Sequence, residues 1–224
     1  MGDLYILACS DSQSIGGVSG FAAASELLRR HFVMQDNRPP DVGDIRIGDF
    51  APYLRSLLFT DGTVTRSVEV QTFRRVVVEV VDQAFTAVPV EVADLLMLAS
   101  TDGVLRRRVL MRVDGRAGSS MPFAYAESYV VTPRLPAKFL EVLSVEAGGL
   151  GEALSTAQVE SRRELLWCGM RDTPSWATVV GSGECFVRSY RIVTDQHPAI
   201  LVLEGFVTVG EGRDARHASS AGGA

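Results

Sequence analysis

The segment Leu105–Val113 alternates residue by residue, and that alternation commits it to a strand with one face against a core. Successive side chains of a strand point to opposite sides of its sheet. One side carries Leu105, Arg107, Val109, Met111 and Val113, and the other carries Arg106, Arg108, Leu110 and Arg112. The second side reads as solvated. The first is apolar except for Arg107. A guanidinium does not shed its proton in a protein, so an arginine facing a core needs an anion beside it. That anion is either a protein carboxylate or a bound ligand, and the pattern leaves both open.

Two further charges break apolar faces. In Ile200–Val207 both faces are apolar, so Glu204 is buried whichever way it points. An isolated buried carboxylate costs several kcal/mol unless it is paired or protonated. Glu204 therefore either neutralises Arg107 or lines a pocket with it as an acceptor or acid. Gly205 beside it lets something approach the backbone closely. Arg188 shares a strand face with Phe186, Tyr190 and Ile192. It either snorkels to solvent or adds a second cation to the same pocket, with Glu127 and Glu164 as competing partners. Two inward arginines against one glutamate would suit a small dicarboxylate. By contrast, Arg162-Arg163-Glu164 reads as a solvated face in a helical turn.

The remaining texture places these strands. Helical spacing runs from Phe21 to Phe32 and is broken at Asn37-Arg38-Pro39-Pro40. Asp49 and Pro52 open a helix toward Thr60. Asp61-Gly62 ends it, and Thr63 starts a short second helix with Val64 and Val68 on its buried side. Arg75–Val81, Leu105–Val113, Phe123–Val131 and Phe186–Val193 read as strands, with Asp114-Gly115 and Asp195-Gln196 as turns and Arg116–Ser120 as a loop. Pro136–Leu143 and Leu150–Thr156 read as short helices, and Gln158–Trp167 is ambiguous. Ala199–Val209, apolar on both faces, is a central strand. Leading helices, hairpin-like strand connections and helices inserted between strands define an α+β domain on an antiparallel sheet. The expected organisation is an N-terminal extension with one helix over 1–49, a single domain over 50–210, and a disordered tail over 211–224.

Composition excludes several classes of function. A net charge of −5 argues against a general nucleic-acid binder. Three cysteines (Cys9, Cys168 and Cys185), with no CxxC and no nearby histidine, form neither a disulfide framework nor a zinc site, and suit a reducing cytoplasm. The apolar run Leu4–Ala8 is too short for a signal core, and no stretch approaches a membrane span. His31, His197 and His217 are isolated. No nucleophile elbow, phosphate loop or metal-ligand cluster is present; Ser182, between Gly181 and Gly183, lacks the second half of any such motif. No cofactor or metal is expected.

The order of segments resembles the chorismate lyase-like family (chorismate pyruvate-lyase, or 4-hydroxybenzoate synthase) in its actinobacterial-type branch. The resemblance spans roughly Phe50–Val209 and rests on Leu57–Thr65, Arg106–Met111, Tyr125–Ser128 followed by Arg134-Leu135-Pro136, Gly149-Leu150-Gly151, Arg163-Glu164, Arg188–Arg191 and Glu204-Gly205-Phe206. It implies an antiparallel sheet with helices packed on it and a ligand enclosed beneath helical flaps. It also implies that Arg107 matches the family's carboxylate-binding arginine, Glu204 its active-site glutamate, and Leu150, before Gly151, the position whose backbone contacts the ligand. Val64 falls where the family places an apolar flap residue. Arg188 and Tyr190 complete the expected substrate-binding set. The chain departs from its relatives at Gly205, where they carry a bulkier residue, at the absence of a proline after Phe206, in the Arg116–Ser120 loop and in the segment before Phe50.

The expected function is therefore cofactor-free elimination of pyruvate from chorismate to give 4-hydroxybenzoate. One rival is another lyase, dehydratase or cyclase acting on an acidic intermediate in specialised biosynthesis. A second is a ligand-binding module, since effector domains of some transcription regulators share a similar fold; those carry a DNA-binding head, and the segment before Phe50 shows no basic recognition helix. The expected partner is a small-molecule carboxylate, without nucleic acid or membrane, in a monomer or weak dimer.

Overall fold

The computed structural model describes residues 18–114, 122–145, 148–181 and 183–206. Helix α1 (Val18–His31) leads. Helices α2 (Pro52–Phe59) and α3 (Val64–Thr72) follow, then strand β1 (Val76–Ala87), helix α4 (Val90–Leu96), and strands β2 (Gly103–Val113) and β3 (Pro122–Val130). Helices α5 (Ala137–Val145) and α6 (Leu150–Thr156) precede strands β4 (Arg162–Asp172), β5 (Glu184–Thr194) and β6 (His197–Phe206). The strands form one antiparallel sheet in the order β1-β2-β3-β6-β5-β4. Strand β6 is central and nearly all buried, as an apolar run on both faces requires. The Asp114-Gly115 turn, the 116–120 loop, Ser182, Cys9 and the tail from 211 fall on or reach into segments outside the described residues.

Local chemistry accounts for most of the boundaries. The β5–β6 hairpin closes through Asp195 and Gln196, both at positive φ (47° and 67°), the twist that a tight two-residue hairpin demands. Pro52 takes the first turn of α2, but the residue before it is Ala51, not Asp49, which belongs to a 3-10 turn over Ile47–Asp49. Thr63 does precede α3, although its hydroxyl makes no capping bond. The ambiguous segment 158–167 resolves into a turn, with Gln158 at positive φ, and then the start of β4.

Both faces of the sheet are covered. On one side α2, α3, α5 and α6 pack with Leu28, Phe32, Ile45 and Ile47 onto Val109, Met111, Phe186, Val202 and Phe206. On the other, α4 and a 3-10 turn over Ser175–Val180 cover Val104, Leu110, Tyr125, Val187 and Leu201. The face of β2 expected to be solvated is thus partly roofed. Leu110 is buried there, while Arg106, Arg108 and Arg112 lie half-exposed in ion pairs with Asp82, Glu127 and Glu79. Edge strand β4 is sealed by the residues after α1: Val33 and Met34 donate to the Leu165 and Leu166 carbonyls, and the Gln35 amide bonds the Cys168 backbone in both directions.

The reason for Gly205 differs from the expected one. Its strand partner is Tyr125, and a Cβ at 205 would lie 2.1 Å from Tyr125 Cζ. The group that approaches the backbone is therefore a buried tyrosine on the face away from Glu204. This gives a physical reason for glycine at this position.

Candidate active site

The register of all six strands assembles the site. Gln83, Arg107, Ser128, Val202, Tyr190 and Leu165 form one row across the sheet. Val109, Ala126, Glu204, Arg188 and Cys168 form the next row on the same face. Strands β2 and β5 are three interstrand spacings apart, about 14 Å. Between Arg107 and Tyr190 in that row stand Ser128 and Val202, and Ala126 lies beside them. These small side chains leave a hollow in the middle of the sheet.

The turn and first residues of α3 (Gly62 to Thr65) and the start of α6 (Gly149 to Gly151) roof the hollow. The resulting cavity, about 50 Å³, is lined by Arg107, Glu204, Tyr190, Val64, Leu150 and Gly151 among others. A cleft of about 610 Å³ adjoins it, shares the walls Thr63, Thr65, Val78, Gly149 and Gly151, and runs between α3, α6 and β1.

Glu204 does not neutralise Arg107. Its Oε2 accepts from Arg188 Nε at 2.9 Å and lies 2.8 Å from Nη2, and its Oε1 accepts from the Tyr190 hydroxyl at 2.8 Å. Arg188 is fully buried behind Glu204 and is absent from the cavity wall. Its Nη1 donates to the carbonyls of Leu57, Leu58 and Thr60, which ties the end of α2 to the sheet. Burial, with Glu204 next in effect, pushes the Tyr190 phenol far above its usual range, so it stays a donor. The competing carboxylates are used elsewhere: Glu127 by Arg108, and Glu164 by Arg191 and Arg162.

Arg107 is 1% exposed, and no carboxylate pairs with it among the described residues. Its Nε donates to Gln83 Oε1 at 3.0 Å and its Nη2 to the Gly148 carbonyl at 2.8 Å. Both acceptors are neutral. Burial lowers its pKa, the direction expected of a cation that lacks a counter-ion. Such a guanidinium in a cavity wall can receive an anion.

One charged lining residue is absent from the sequence-based set. Arg163 is the second residue of β4, on the cavity face with Leu165, and its Nη1 donates to the Asp61 carbonyl at 2.6 Å. Three charged residues in a row masked it, because Arg162 and Glu164 do face out. Only the strand register separates them.

A protein-family model described as Chorismate pyruvate-lyase Rv2949c-like matches residues 58–211. The chain belongs to that family. Chorismate pyruvate-lyase of Mycobacterium tuberculosis (strain H37Rv) is 28% identical over 172 residues, covering 73% of this chain and 83% of its own. The Mycobacterium leprae enzyme is 29% identical over 160 residues, covering 69% and 73%. Among solved structures, the effector domain of PhnF from Mycobacterium smegmatis superposes with a TM-score of 0.51 at 11% identity, over 66% of this chain and 89% of that domain. At that identity the likeness speaks for the fold alone. The Rv2949c-like family match spans both flap helices and every strand from β1 to β6, so it contains all the cavity residues described above.

Proposed function

We propose that this protein eliminates pyruvate from chorismate to give 4-hydroxybenzoate. The observation that carries the reading is a buried Arg107 without a carboxylate partner among the described residues, in one cavity with Glu204, in a chain of the Rv2949c-like chorismate pyruvate-lyase family.

The reaction asks little of a catalyst beyond orientation and charge control. The bond between the ring carbon and the ether oxygen breaks, and the hydroxyl-bearing carbon beside it loses its proton. The enolpyruvyl group leaves as the enolate of pyruvate, which takes one proton on its methylene carbon to balance the one the ring loses, while the ring becomes aromatic. Arg107 binds the ring carboxylate through charge-assisted hydrogen bonds. The first amides of α6, Leu150 and Gly151, precede its first intrahelical bonds, which Glu152 and Ala153 make to Gly149, and as helix N-terminal amides they can donate to the same group. Glu204, fixed by Arg188 and Tyr190, keeps further acceptor lone pairs for the ring hydroxyl and for a proton in transit. Fixing the substrate between two such preset groups is the main source of acceleration. Val64 closes the apolar side of the cavity. No step draws on a cofactor.

The test is to incubate purified protein with chorismate and follow both products. Equimolar pyruvate and 4-hydroxybenzoate above the uncatalysed rate support the reading. Saturable binding of chorismate without release of pyruvate would instead make the cavity a ligand-binding module.

A further inference from the structure

The cavity carries more positive charge than one carboxylate can balance. Its charged lining residues are Arg107, Arg163 and Glu204, and Glu204 is already neutralised by Arg188 behind it. Two guanidinium groups therefore remain, at opposite ends of the sheet face: Arg107 on β2 and Arg163 on β4. Among the described residues no carboxylate pairs with Arg163. Its Nε is buried and has no hydrogen-bond partner among the described residues. Its guanidinium carbon lies 5.9 Å from the centre of the Tyr190 ring, so the charge is held over the same hollow that Glu204 borders.

Arg163 also stands where the two flaps meet. Its Nη1 holds the Asp61 carbonyl in the turn between α2 and α3. A Cβ added to Gly151 in α6 would lie 3.3 Å from its Nη2 and 2.9 Å from Thr63 Oγ1. Glycine at 151 thus lets α6, Thr63 and the arginine close on one another. Arg107 reaches the other flap through Gly148. Each cation touches the hinge of one flap.

We propose that Arg163 is the second carboxylate-recognising residue of this cavity, so that the site selects dianions over monoanions. This rests on the reading that Arg107 receives the ring carboxylate. The unused Nε of Arg163 then takes the other carboxylate while Nη1 keeps the α2–α3 turn shut. When a dicarboxylate is split into two monocarboxylates, no single product bridges both arginines, and the site favours release.

Selectivity tests this independently of turnover. Two stable probes serve: 4-hydroxybenzoate, and 3-(carboxymethoxy)-4-hydroxybenzoate, which adds a second carboxylate through an ether on the neighbouring carbon. Their affinities are measured by calorimetry for the wild type, Arg163→Gln and Arg163→Lys. The wild type should prefer the dicarboxylate by about 10–100-fold, the worth of one charge-assisted pair. Arg163→Gln should erase the preference while changing monocarboxylate affinity less than about threefold, and Arg163→Lys should retain part of it. Should Arg163→Gln fail to fold, the wild-type preference and its reduction in Arg163→Lys decide alone. No wild-type preference, or one that survives Arg163→Gln, overturns the proposal. If chorismate is not turned over yet the preference follows Arg163, the recognition stands and only the reaction assignment falls.

Discussion

Arg188 and Glu204 face each other directly on β5 and β6, with Arg188 Nη2 2.8 Å from Glu204 Oε2, and both are buried. This pairing consumes the glutamate's charge locally, so Arg107 has to find its anion elsewhere. Replacing Arg188 with methionine should be costly. It would strand a buried carboxylate and leave the carbonyls of Leu57, Leu58 and Thr60 without their donor, a loss of about 3–5 kcal/mol. Denaturant unfolding should show it. A cost below about 1 kcal/mol would mean that the pair is not the brace described.

Gly205→Ala should destabilise the protein by about 1–3 kcal/mol, the usual cost of overpacking, because its Cβ would overlap the Tyr125 ring. Combining it with Tyr125→Ala should recover part of that loss. Strict additivity of the two changes would separate the residues energetically and contradict the contact.

The α2–α3 flap should respond to ligand. A cavity of about 50 Å³ is too small for a carboxylated ring unless its roof moves, and residues 59–68 join two short helices through Asp61-Gly62. Their amide exchange should slow when 4-hydroxybenzoate is added. Equal protection with and without ligand would place the movement elsewhere.

Alkali should destabilise the protein through its buried thiol and phenol. Burial raises the Cys168 thiol from 9.0 to about 12. The unfolded thiol ionises first, so its contribution to stability is complete below pH 9 and is lost as pH climbs toward 12, at roughly 1.4 kcal/mol per pH unit. Thiolate absorbance should appear together with unfolding and not before it. Tyr129, raised from 10.0 to about 12 by burial first and Glu127 second, acts in the same direction above pH 10.

Much of the fold is legible in the chain because strand faces are. The alternation in β2 and the two-faced apolar run of β6 identify Arg107 and Glu204 as inward charges, and the structure puts both on one cavity wall. Which charge meets which is not legible, since it depends on strand order: β6 lies between β3 and β5, so Glu204 falls beside Arg188 and not beside Arg107. Arg163 is hidden for a related reason, at the start of an edge strand whose neighbouring residues are charged as well. Helix α4 and the cover over Tyr125 leave no strong periodic signal, being short and packed through few residues.

The central claim is that Arg107 waits for a ligand's carboxylate. Arg107→Met, compared with the wild type by thermal unfolding with and without 4-hydroxybenzoate, tests it most directly. Removing a buried cation that has no carboxylate partner among the described residues should leave the melting temperature of the free protein unchanged or higher. It should weaken binding about 10–100-fold and abolish the ligand-induced rise in melting temperature. A variant that unfolds several degrees earlier yet keeps the full ligand-induced rise would make Arg107 a structural residue and contradict the account.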